Sequence, residues 1–150
     1  MAVLSWGRPL IEIALLGENE TPGEWKSLGT PKQDSSQLST EAGNKTEAIE
    51  EGGGVVDVRY DKSKYSFVCQ LFSKKGETKP IEDVDGIVPG NYAVRLTPED
   101  PTTPGWIMDK ASVSVVDTWS AADGGLWQYT FDGLVPKTGT ILKPYTASNE

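Results

Sequence analysis

"SVSVVDTWSAADGGLWQYTFDGLV", residues 112–135, decides the class of this fold. Val113 and Val115 alternate with Ser112 and Ser114, and beyond an Asp-Gly turn Trp127, Tyr129 and Phe131 alternate with polar residues. A period of two puts every second side chain on the same side of a pleated strand, so each run buries one face and wets the other. Two such runs across a glycine-containing turn read as an antiparallel hairpin. The expectation is a sheet domain built around this pair.

The same period continues outward. "NYAVRLTPED" (91–100) sets Tyr92, Val94 and Leu96 against Ala93, Arg95 and Thr97. In "KYSFVCQLFS" (64–73), Tyr65, Phe67, Cys69 and Leu71 lie on one face, and Ser66, Val68, Gln70 and Phe72 on the other. Both faces carry apolar groups, as expected of a strand inside a sandwich. "VVDVRY" (55–60) is expected to join it across a "DKS" turn, and "PLIEIALL" (9–16) and "EWKSL" (24–28) are shorter strand candidates. The connection 74–90 has room for a short helix around Pro80–Val84, with proline at its first turn. The reading is one mainly all-β domain over 1–150, a sandwich or barrel with long loops and at most one short flanking helix.

One region does not fit a core. "QLSTEA" (37–42) and "KTEAIE" (45–50) flank Gly43-Asn44, a two-residue hairpin turn by composition. These arms offer only Leu38, Ala42, Ala48 and Ile49 for burial, so the expectation is a projecting arm at about 37–54, ordered by a partner. Three glycines, Gly52, Gly53 and Gly54, separate it from "VVDVRY", and glycine tolerates positive φ.

Chemistry is sparse. The chain has no histidine and a single cysteine, which removes Ser-His and Cys-His nucleophile pairs, imidazole metal sites and thiolate zinc sites. Cys69, set among apolar residues, reads as a small buried hydrophobe. Asp83 and Asp85 have the spacing of part of a calcium loop, but Val84 and Ile87 stand where oxygen ligands belong and no bidentate glutamate follows, so a solvated loop is expected. Glu47, Glu50 and Glu51 lack the dry, rigid pocket that would split their pKa values for acid–base work. No enzyme activity, cofactor or metal is expected.

The formal net charge of −8 is the wrong sign for gripping phosphates, though it suits a surface past which nucleic acid slides. The first residues lack the pattern of a secretory signal, and no apolar run approaches the ~18–20 residues that span a bilayer. Synthesis in the cytoplasm and no membrane partner are expected. Five tryptophans, Trp6, Trp25, Trp106, Trp119 and Trp127, keep a second class open, a carbohydrate-binding or adhesion sandwich with exposed aromatics.

Residues 90–139 resemble the C-terminal half of the tail tube (major tail) proteins of long-tailed bacteriophages, especially those of phages and prophages of Bacteroides-like hosts. The resemblance lies in "NYAVRLTPED", the "SAADG" turn and the closing "WQYTFDGLVP". "EAIEEGG" before one strand and "YSFVCQLFSKKG" after it are similar to the central section of that family. The resemblance implies a β-sandwich flanked by a short helix, six copies of which form a ring. Stacked rings would make a hollow tube in the virion tail, made in the bacterial host cytoplasm, with other tail proteins as neighbours and DNA as non-specific cargo. On that tube reading the arm bridges subunits, with Glu41, Lys45, Glu47, Glu50 and Glu51 as candidate assembly residues and Gly52, Gly53 and Gly54 as the expected hinge between the arm and "VVDVRY". A tube of a related injection system is a near alternative.

Overall fold

The computed structural model describes residues 8–18, 22–29, 31–32, 35–76, 78–99, 102–122, 124–137 and 139–145. Trp6, the segment 19–21 and Asp123 of the "AADGG" turn lie outside these. Among the described residues the chain is all-β. Its strands are β1 (Leu10–Leu15), β2 (Lys26–Ser27), β3 (Gln37–Glu41), β4 (Lys45–Ile49), β5 (Val55–Tyr60), β6 (Lys64–Phe72), β7 (Ile87–Thr97), β8 (Gly105–Ser120), β9 (Gly124–Gly133) and β10 (Leu142–Tyr145). Eight of them form one antiparallel sheet in the order β2-β1-β7-β8-β9-β6-β3, with β10 also on β8, while β4 and β5 form a separate pair.

The deciding hairpin forms as expected. β8 and β9 pair from Ala111↔Gly133 to Ser120↔Gly124. Val113, Val115, Tyr129 and Phe131 are buried, and Ser112 and Ser114 face out. β6 joins the other edge of β9, and its Phe67, Cys69 and Leu71 enter the same core.

The sheet folds over on itself at the middle of β8. Phe67 is cross-strand from Phe131, which is cross-strand from Val113, so two strand spacings of about 4.8 Å separate Phe67 from Val113. Trp106 would lie roughly 23 Å up a straight β8 from Val113. Yet the rings of Phe67 and Trp106 meet edge to face with centroids 4.8 Å apart. Only a sharp bend in β8 brings them together.

The bend has a local cause. Tyr92 pairs with Ala111 but Val94 pairs with Met108, so β8 carries one residue more than β7 across this interval, a bulge at Asp109–Lys110. At the same place β8 changes partner, from β9 (Ala111–Ser120) to β10 (Gly105–Met108). Lys143 of β10 forms an ion pair with Asp109 in the bulge. Gly133 makes the corner possible, since a Cβ there would lie 2.7 Å from Ile141 Cγ2 and 3.1 Å from Met108 Sδ. The resulting sandwich-like core joins Ile11, Ile13, Val94 and Met108 on one layer to Phe67, Cys69, Val113, Tyr129 and Phe131 on the other.

Three expectations are corrected. β3 does not pair with β4. It borders β6, with Leu38 opposite Phe67 and packed on the core, a burial that a polar hairpin would not provide. β5 does not pair with β6, because β9 and β3 occupy both edges of that strand. No helix forms at Pro80–Val84. There, Val84 and Ile87 exchange backbone hydrogen bonds of 2.8 and 3.0 Å across a two-residue turn, with Asp85 and Gly86 at φ 52° and 87°. Two consecutive positive φ values define a hairpin turn of the Asp-Gly kind and are incompatible with a right-handed helix.

The preceding loop is pinned by polar contacts. The Lys79 ammonium donates to Asp83 at 2.7 Å and to Asp117 at 2.9 Å, and Asp83 also accepts the Gly86 N–H at 2.7 Å. The Asp83 contact, with that of Asp117, raises the Lys79 pKa, and the Lys79 contact in turn lowers that of Asp83. Deeper in, the buried Tyr129 hydroxyl donates to the Ile81 carbonyl at 3.0 Å.

Candidate functional site

The β4–β5 ribbon is the feature the core does not explain. Of its eleven strand residues only Val58 is even half-buried. Its foot is a close crossing of two backbones. A Cβ on Gly43 would overlap the Asp61 carbonyl, and the Asp61 N–H donates to the Asn44 carbonyl at 2.8 Å. Gly43-Asn44 is therefore the pinch from which the ribbon departs rather than a turn.

Its tip is the three-glycine segment. The Glu50 N–H donates to the Gly54 carbonyl at 2.9 Å and the Gly53 N–H to the Glu50 carbonyl at 3.1 Å. Gly52 and Gly53 have φ of 99° and 92°, where L side chains are strained. The expected hinge is thus a hairpin turn. The glycines reverse the chain within one ribbon, and "VVDVRY" belongs to that ribbon and not to the main sheet.

The register gives the ribbon two unlike faces. Opposed residues share a face, so Lys45–Tyr60, Glu47–Val58 and Ile49–Val55 lie on one side, Thr46–Arg59 and Ala48–Asp57 on the other. A register shift between Ala48 and Ile49 makes Val56 the extra residue of a bulge. Ile49, Val55, Val56 and Tyr60 are all more than half exposed, Tyr60 at 70%. Lys45 and Glu47 form an ion pair at 3.0 Å. Glu50 and Glu51 sit at the tip, exposed.

Of the candidates read from sequence, Lys45, Glu47, Glu50, Glu51 and the three glycines are brought together on the ribbon. Glu41 is not among them. It ends β3 opposite Lys64 and lines a shallow cleft of about 430 Å³ with Ser39, Thr40, Tyr65, Ser66, Asp132 and Gly133. The sequence reading missed Val55, Val56 and Tyr60 as part of the projecting element. The available signal was a pair of five- to six-residue β-prone runs flanking a glycine turn, which is itself a hairpin pattern.

The tryptophans divide sharply. Trp25 is covered by the Arg95 guanidinium, 4.1 Å from the ring centroid, and Arg95 is in turn held by Glu12 at 3.0 and 3.2 Å. Trp106 and Trp127 pack against the core. Trp119 alone of the described tryptophans stands out, 75% exposed near the tip of the β8–β9 hairpin. Cys69 is fully buried, and burial pushes its thiol pKa up to about 12, as suits a packing role. No group of three or more acidic or cysteine side chains able to hold a metal occurs among the described residues, and no helix there is long and apolar enough to cross a membrane.

No protein-family model matches this chain, and no curated protein matches it either.

Proposed function

We propose that this chain is a structural subunit that assembles with copies of itself into rings stacked as a hollow tube of the phage-tail type. The observation that carries the reading is the β4–β5 ribbon. An isolated two-stranded hairpin is marginal in water, and this one holds four large apolar side chains exposed with no strand layer beneath them among the described residues. Such an element gains its stability by docking on another molecule. Around the ring, the free edge of β3 supplies a second contact by strand pairing, whereas the opposite edge, the two-residue β2, is too short to do so. Six copies per ring, the neighbouring tail proteins and a place in the virion tail come from the family resemblance. The formal net charge of −8 suits a lumen that lets DNA slide without adhering.

A carbohydrate-binding or adhesion module is the second reading, favoured by Trp119 and by the shallow cleft beside Tyr65 and Asp132. Sedimentation over a range of concentrations, with negative-stain microscopy of the concentrated sample, separates the two. Rings or hollow tubes are the expected result. Monomer at every concentration, with a melting temperature raised by oligosaccharides, would replace the tube reading with the second one.

A further inference from the structure

The ribbon and the far end of the sheet layer it leaves are complementary in charge and both apolar. The ribbon departs at the Glu41–Lys64 end of β3 and β6. The other end of β6 lies roughly 26 Å away along the strand. There Phe72 pairs with Leu126, and the Ser73 N–H donates to the Gly125 carbonyl at 2.8 Å. Trp119, cross-strand from Gly125, stands exposed beside this junction. Lys74 and Lys75 follow directly, both exposed and with no ion pair among the described residues. The ribbon tip mirrors this composition, with exposed Ile49, Val55 and Val56 beside Glu50 and Glu51, which likewise make no ion pair there.

The ribbon cannot cover the far end of its own chain, because the length of β6 separates the two and the ribbon is exposed on both faces. Two unlike patches at opposite ends of one molecule join copies head to tail and leave each end open for the next copy. We propose that the β4–β5 tip of one copy docks on the Phe72–Lys75 and Trp119 end of the copy stacked on it. Glu50 and Glu51 then face Lys74 and Lys75, while Ile49 and Val55 cover Trp119. This rests on the tube reading and supplies its axial contact, so that a charge pair sets the register and apolar burial supplies the affinity.

Charge reversal tests it without touching the core. Glu50→Lys/Glu51→Lys and Lys74→Glu/Lys75→Glu are each expected to raise the concentration needed for assembly by about tenfold, since reversal turns attraction into repulsion. Combining all four changes restores the pairing in the opposite sense and is expected to return assembly to within about threefold of the unmodified protein. Circular dichroism of each variant monitors the monomer fold. Assembly of the unmodified protein that is indifferent to either pair, or a combined variant no better than its parents, overturns this contact and leaves the tube reading standing. Absence of assembly by the unmodified protein at any concentration overturns both.

Discussion

Cys69 and Tyr129 show how strongly this core excludes charge. Both side chains are fully buried, and burial pushes each pKa up to about 12. In the unfolded chain a cysteine loses its proton near 8.5 and a tyrosine near 10, roughly. Between those values and about 12 the unfolded state has released protons that the folded state keeps, so stability falls as pH rises. Each group contributes at most about 1.4 kcal/mol of loss per pH unit across its window. Urea midpoints are therefore expected to be level from about pH 7 to 8 and to drop steadily above about pH 9. Cys69 is expected to resist thiol reagents until the protein unfolds. A midpoint unchanged at about pH 11, or rapid labelling of the native protein, would contradict the burial that defines this core.

The ribbon obeys different rules from the sheet it leaves. Among the described residues its two strands pair only with each other, so the geometry of its turn decides whether it forms. Gly52 and Gly53 sit at φ of 99° and 92°, and a side chain at either costs about 1–2 kcal/mol. A Gly52→Ala/Gly53→Ala variant is expected to lose amide-exchange protection across residues 45–60 while its urea midpoint moves by less than about 0.5 kcal/mol of stability. The same variant is expected to assemble poorly. A fall in global stability instead would show that the ribbon is coupled to the core, and normal assembly would remove the ribbon from the interface.

For the molecule as a whole, the controlling contact is the one across the fold of the sheet. Phe67 and Trp106 belong to different layers and meet only because β8 bends at its bulge. Trp106→Ala is expected to cost about 3 kcal/mol, measured by denaturant unfolding, because it removes the ring that spans the layers. Val116→Ala, on the exposed face of the same strand, serves as the control and is expected to cost under about 0.5 kcal/mol. Equal effects at the two positions would mean that the layers are held elsewhere.

The long strands and the facing of their central residues were legible in the chain because both follow from a period of two, which is a local property; β10 and the burial of Ala93 and Thr97 alongside Val94 were not. Phe67, Val113 and Tyr129 all point where alternation places them. The polar character of residues 37–54 marked an arm that the core would not absorb, and this holds from Lys45 onward, whereas β3 at its start joins the main sheet. Pairing was not legible. Leu38 draws β3 onto the edge of β6, and that choice leaves β4 and β5 only each other. The corner in β8 depends on a bulge, on a glycine at 133 and on the arrival of β10, three features distant in the chain. Alternation tells a strand which side to bury. Competition among all strands for a few apolar edges tells it beside which neighbour to lie, and that contest is settled only when the whole sheet is assembled.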